Sequence, residues 1–265
     1  MLTSFVIYCL VGAVAGILAG LLGIGGGLVI VPMLVYVFGV LAIPQELTMH
    51  LALATSMASI MFTSISSFMA HHRRGAVQWE VVRRIVVGIF TGTFLGSCFA
   101  STLSTGFLKI FFVVFLYVVA VQLLLNKKPR GSREMPGMAG MFAVGNVIGA
   151  VSSFVGIGGG TLSVPFMLWC NIRVHNAIGT SAAIGLPIAI AGTAGYIYGG
   201  WNAAELPPYS LGFVYLPALL GIAAASVLTA PLGVRLAHSL PVDKLKRVFA
   251  ILLLVVATKM LVSVL

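Results

Sequence analysis

A ten-residue stretch, GIGGGLVIVP from Gly23, returns 133 residues later as GIGGGTLSVP from Gly156. Each copy sets four glycines ahead of a proline, Pro32 and Pro165, inside sequence that is otherwise apolar enough to be helical. Glycine and proline both interrupt helices, so the repeated pair either relieves crowding or shapes a site. The duplication extends well beyond these stretches. His50, Thr55 and Ser56 match His175, Thr180 and Ser181 at an interval of 125 residues. Near the ends of the halves, LKIFFVVFLYVVAVQLL from Leu108 matches LKRVFAILLLVVATKML from Leu245 at an interval of 137.

Each half divides into five apolar segments. In the first they fall near 4–22, 28–43, 50–70, 82–101 and 107–125; in the second near 137–155, 160–171, 175–198, 211–231 and 247–265. The polar run NKKPRGSRE (Asn126–Glu134) separates them. The expected organisation is a first membrane repeat over 1–125, a basic linker over 126–136 and a second membrane repeat over 137–265. Sixty per cent of the residues are hydrophobic and 8% are charged, which leaves no room for a sizeable soluble domain. The segments lack the alternation of membrane strands, so the fold class is an all-α polytopic membrane protein. The amino-terminal run has no basic n-region and reads as a first membrane helix, not a cleaved signal. Cys9, Cys98 and Cys170 lie in apolar runs and have no metal-ligand spacing, so they read as small buried hydrophobes.

Five crossings per half, an odd number, require the two repeats to be inverted relative to each other. The basic residues agree. With ten crossings and both termini outside, thirteen of the fifteen Lys and Arg fall on one side, and only Lys109 and Lys259 fall on the other. Basic loops stay in the cytoplasm, so that side is inner. The net charge of +10 therefore needs no nucleic-acid partner; the expected surroundings are a lipid bilayer, here the cell (bacterial inner) membrane. Inverted repeats are the architecture of many secondary transporters.

The segments after the glycine stretches, Leu28–Ile43 and Thr161–Ile172, are short for a hydrocarbon core of about 30 Å. The turns are therefore expected to be recessed into the membrane from opposite sides, where irregular backbone survives only inside protein or along a polar cavity. Each starts a helix whose first N–H groups lack partners and carry partial positive charge, so it can receive an anion. The candidate substrate-binding residues are Gly23, Gly25, Gly26, Gly27, Gly156, Gly158, Gly159 and Gly160, together with the hydroxyls of Thr55, Ser56, Thr180 and Ser181. The alternative is close packing, which the small-residue faces Gly12/Gly16/Gly20 and Gly145/Gly149 already suggest for their helices. Ser56, Ser59, Thr63 and Ser66 share one helix face, either for an anion or for bonds to the preceding turn. His50 and His175, one near each membrane face, are the candidates for proton coupling or gating. His71, His72 and His238 read as solvated members of basic loops. Asn146 is a polar group inside the sixth segment with no obvious partner.

The twinned GIGGG…P followed by Thr-Ser, across ten apolar segments, resembles the TauE/SafE sulfite exporter family over essentially the whole chain. That resemblance implies a membrane transporter for sulfur-containing oxyanions or organosulfonates, with no cofactor and with protons as a compatible coupling ion. It also implies eight spanning helices, with the two short segments re-entrant, whereas the basic residues of this chain favour ten crossings. An anion channel is the nearest alternative. A membrane-embedded enzyme is disfavoured because no HExxH, intramembrane aspartate or G-x-S-x-G is present. The sequence leaves the oligomeric state open.

Overall fold

A computed structural model describes residues 2–22, 26–125, 133–239 and 242–262. Gly23, Gly25 and the linker residues 126–132, including Lys127, Lys128 and Arg130, lie outside the described residues. Among the described residues are ten helices, one for each apolar segment. The first five are α1 (Leu2–Leu22), α2 (Gly27–Val40), α3 (Gln45–His72), α4 (Trp79–Ala100) and α5 (Thr105–Leu125). The second five are α6 (Met138–Val155), α7 (Gly160–Trp169), α8 (Val174–Gly199), α9 (Leu216–Ser239) and α10 (Val242–Val262). A two-residue strand pair, β1 (Ser210–Leu211) and β2 (Val214–Tyr215), forms an antiparallel hairpin between α8 and α9. The expected ninth segment began at 211; the chain instead spends residues 210–215 on this hairpin before the helix starts.

Among the described residues six helices are long and apolar enough to cross a membrane, while α2 and α7 are shorter, at 14 and 10 residues. Their lengths correspond to about 21 Å and about 15 Å. The surface is inside-out by the standard of a water-soluble protein. Val87 and Leu95 of α4, Val114 and Val118 of α5, and Leu220 and Leu228 of α9 are exposed. Thr55, Ser56, Ser59, Thr180 and Ser181 are buried. Lipid, not water, suits that outer face, and inside it Thr55, Ser56, Ser59 and Thr180 each find a backbone partner.

Helix packing repeats when the first five helices are exchanged for the last five. Helix α1 packs along α9 and α6 along α4; α3 packs on α9 and α8 on α4; α2 lies on α3 and α7 on α8. The helices α3 and α8 pack on each other, as do α5 and α10. A Cβ built on Gly192 would lie 3.1 Å from Met57 Sδ, and one on Gly185 2.9 Å from Ser64 Oγ. The partner number falls as the α3 number rises, so these counterpart helices run antiparallel.

Small residues permit the matched seams. A Cβ on Gly12 would collide with the Ile222 carbonyl, and one on Gly145 would crowd the Ile85 carbonyl, its counterpart across the exchange. Gly16 and Gly149 are equally crowded by α9 and α4. Close packing is thus the role of these small-residue faces. Asn146 belongs to the same seam: its Nδ2 donates to Phe142 O at 3.0 Å, and its Oδ1 accepts from Thr91 Oγ1 at 3.1 Å.

Loops gather at the two ends of the bundle in the groups that ten crossings require. At one end, Thr105 Oγ1 donates to Glu46 O, and Phe213 of the hairpin stacks on His50 with ring centroids 5.0 Å apart. At the other end, Ala76 packs on Gly179, Arg133 N donates to Trp169 O at 3.4 Å, and the Arg133 guanidinium lies 4.8 Å over the Trp169 ring.

The seams make a stability prediction. Gly92→Ala would drive a methyl into the Asn146 backbone, whereas Gly106, with nothing within 4 Å, has room for one. Thermal unfolding in detergent should show Gly92→Ala destabilised by about 1–3 kcal/mol. Gly106→Ala should be neutral or slightly more stable. Equal behaviour of the two variants would contradict the packing.

Candidate functional site

The glycine turns adopt one conformation twice. Gly26 before α2 has φ 71° and ψ −17°; Gly159 before α7 has φ 74° and ψ −4°. Both are left-handed, a region open to glycine at little cost, and neither helix start is capped by a side chain. Each N-cap carbonyl accepts two main-chain bonds: Gly26 O from Val29 N and Ile30 N, and Gly159 O from Leu162 N and Ser163 N. The N–H groups of the first turn are left without a side-chain acceptor, the arrangement that suits an anion.

The two turns also meet. A Cβ on Gly27 would collide with the carbonyl of Gly156, and Ile157 Cα lies 3.0 Å from the same point. The contact is backbone on backbone, so Gly27 sits in a packed seam in this conformation, not in an open cavity. Ser56 secures the contact by donating its hydroxyl to Gly156 O at 2.8 Å.

The remaining hydroxyls separate into two kinds. Thr55 Oγ1 accepts from Tyr215 N at 3.0 Å, and Thr180 Oγ1 accepts from Gln78 N at 2.9 Å. Tyr215 immediately precedes α9 and Gln78 immediately precedes α4, so these bonds are counterparts. Each ties a loop at one end of the bundle to the middle of the opposite half. Ser59 Oγ and Thr63 Oγ1 donate to Thr55 O at 2.8 Å and Ser59 O at 3.1 Å, and Ser66 Oγ to Val227 O at 3.2 Å. The serine face of α3 is therefore satisfied by the protein for much of its length. Ser181 Oγ receives Ser163 Oγ at 3.0 Å and lines a small cavity beside Gly158.

The histidines divide differently from their sequence positions. His50 is buried, its Nδ1 3.2 Å from Glu46 O and its Nε2 3.0 Å from Leu103 O, whereas His175 is exposed. A neutral imidazole can donate to only one of those carbonyls; the protonated ring can donate to both. His71, expected to be solvated, is 5% exposed and packs within the bundle end, because α3 runs on to His72, two residues beyond the expected segment. His72 next to it is exposed.

The sequence profile described as Sulfite exporter TauE/SafE matches residues 8–260. The chain belongs to the TauE/SafE family. A protein of Haemophilus influenzae named "Probable membrane transporter protein" is 42% identical over 259 residues, covering 97% of this chain and 98% of its own length. The Bacillus subtilis "Probable membrane transporter protein YunE" is 29% identical over 184 residues, covering 62% of this chain and 67% of that one. A similarly named Methanocaldococcus jannaschii protein is 25% identical over 229 residues, 86% and 84% of the two chains. No solved structure matches this TauE/SafE chain. With its apolar helices and this membership, it is a multi-pass membrane transporter and not an enzyme.

In this TauE/SafE protein the threonine ties should be measurable. Thr55→Val and Thr180→Val each keep the side-chain shape but leave a main-chain N–H without its acceptor. Each should lower unfolding stability in detergent by about 1–3 kcal/mol. Thr→Ser at the same positions should recover most of the loss. Wild-type stability of both valine variants would remove the ties from the account.

Proposed function

We propose that this protein carries a small sulfur-containing oxyanion or organosulfonate across the cell (inner) membrane by alternating access between two inverted repeats, 1–125 and 137–265. The basic linker 126–136 and the other arginine-rich loops face the cytoplasm, and both termini lie outside. The observation that carries the reading is the meeting of the two glycine turns, Gly27 at the start of α2 against the Gly156 carbonyl that ends α6, with matched left-handed glycines, Gly26 and Gly159, before two helix starts that no side chain caps.

Helix starts of this kind bind anions through main-chain N–H groups and the helix dipole, without a fixed full charge. Such a site releases its ligand readily. Broken helices at the junction of inverted halves are where transporters place their substrate. The anion is received at Gly26–Gly27 and Gly158–Gly160 when the turns part. Ser56 and the threonines Thr55 and Thr180 act one step back, as positioning groups that hold the turns and the loops. His50 and His175 stand at the outer and inner mouths as gating groups. The family description supplies the sulfur chemistry; the absence of any lysine or arginine from the interior of the described spans fits an anion held by backbone.

Both mouths are tied shut here, the outer by the hairpin on Thr55 and the inner by the loop at Gln78 on Thr180. The two ties around one contact support reading this conformation as an occluded one. A channel would need a continuous path and no such alternation.

Purified protein in proteoliposomes, tested against sulfite, sulfate, thiosulfate, sulfoacetate and taurine, should give saturable uptake of at least one, with competition among those it accepts. Non-saturating flux would indicate a channel, and no flux of any of the five would overturn the substrate class.

A further inference from the structure

Beside the second glycine turn lies a cavity of about 10 Å³, measured for the centre of a water-sized sphere. It is walled by Thr63, Ser64 and Ser67 of α3, by Gly158, by Ser181, Ala182 and Gly185 of α8, and by Ala19 of α1. That volume admits one water-sized particle, which is too little for an oxyanion with its several heavy atoms. Ser67 is 4% exposed, and its hydroxyl has no hydrogen-bond partner. A buried hydroxyl left so is costly, and a cavity against it calls for an occupant.

The lining favours a positive occupant. The Thr63 proton is committed to Ser59 O at 3.1 Å or to Ser226 Oγ at 2.8 Å, so toward the cavity Thr63 offers only lone pairs. The Gly158 carbonyl can only accept, and it points at the Gly185 wall, 3.3 Å from where a Cβ would stand. All the lining oxygens can turn lone pairs to a cation, whereas only the Ser64 and Ser67 hydroxyls have protons left to offer an anion. The carboxyl end of α6, at Val155, stops just before this turn and contributes partial negative charge. Broken membrane helices use such carbonyls for a cation and the neighbouring helix start for an anion.

The cavity is also specific to one half. Exchange of the halves carries Thr63, Gly185 and Ala182 onto Ile188, Ile60 and Met57, and all three of those side chains are fully buried. The corresponding space is filled with hydrocarbon. A cavity produced merely by the repeat architecture would occur twice.

The geometry points to a single site for a dehydrated Na⁺ ion, bound by the oxygens of Thr63, Ser64, Ser67, Ser181 and Gly158 and carried together with the anion. This rests on the transporter reading above and adds its coupling ion. The five acidic residues of the chain, Glu46, Glu80, Glu134, Glu205 and Asp243, lie in loops or first helical turns, so the ligands are neutral and the ion can leave again. Its charge offsets that of the anion during the crossing.

The test uses proteoliposomes at fixed pH, with anion uptake driven by external NaCl, LiCl, KCl or choline chloride. Uptake should saturate with Na⁺ and fall at least tenfold in choline, and radioactive Na⁺ should enter with the anion. Ser67→Ala should raise the Na⁺ concentration for half-maximal uptake by about tenfold. Gly185→Ala, which places a methyl in the cavity, should abolish the Na⁺ response. As a readout independent of flux, NaCl should raise the Tm of the wild type above its value in choline chloride but not that of Ser67→Ala. Saturable uptake that is equal in Na⁺ and choline would mean that the cavity holds only water, overturning the Na⁺ site while leaving the transporter intact. Absence of saturable uptake in every salt, with no Na⁺ effect on Tm, would overturn both.

Discussion

Backbone that is not helical cannot be left facing lipid, since each unpaired N–H or carbonyl there costs several kcal/mol. This chain breaks its helices with such backbone twice, and one contact serves both breaks. The Gly27 position admits no side chain because Gly156 occupies the space, and the Gly156 carbonyl takes the Ser56 hydroxyl. Much of the architecture follows from keeping those turns together. Helices α3 and α8 must lie against each other in the centre, which sends α1 and α6 outward onto α9 and α4. Glycine seams then let those outer pairs close tightly enough to exclude lipid from the turns.

The ten elements were legible in the sequence because a membrane helix announces itself by a long apolar run, and the duplication allowed one half to check the other. The central position of the glycine turns was legible for the same reason: a short apolar segment has no other place to end. The hairpin at 210–215 was not. Residues such as Leu211, Phe213 and Val214 are as apolar as a helix, and only their tertiary seat against His50 and Thr55 makes them a plug. The threonines were singled out from their repeated position as candidate substrate ligands; the bonds they make to Tyr215 N and Gln78 N depend on contacts over more than a hundred residues and were not legible. The burial of His71 escaped because the polar run His72, Arg73 and Arg74 follows it.

Exchange symmetry explains the scaffold, and departures from it carry the directional information. His50 is buried under Phe213, but its counterpart His175 is exposed. Ser64 and Ser67 wall a cavity, whereas their counterparts, Ala189 and Gly192, carry no hydroxyl. Two identical halves would give a carrier whose two faces are equivalent. A hydroxyl-lined pocket on one side alone gives the cycle a step at which a second solute can be required.

The central claim is that α2 and α7, though short, reach opposite faces because the halves are inverted about the glycine contact. Single cysteines at the far ends of these two helices test it directly, using Val40→Cys and Asn171→Cys in a chain whose Cys9, Cys98 and Cys170 have been replaced by alanine. Val40 is exposed at the end of α2, and Asn171 is exposed just beyond α7. A membrane-impermeant thiol reagent applied to intact cells should label the Val40→Cys protein and spare the Asn171→Cys protein, with the preference reversed in inside-out vesicles. Labelling of both positions from the same face would contradict the inverted arrangement and the shared contact built on it.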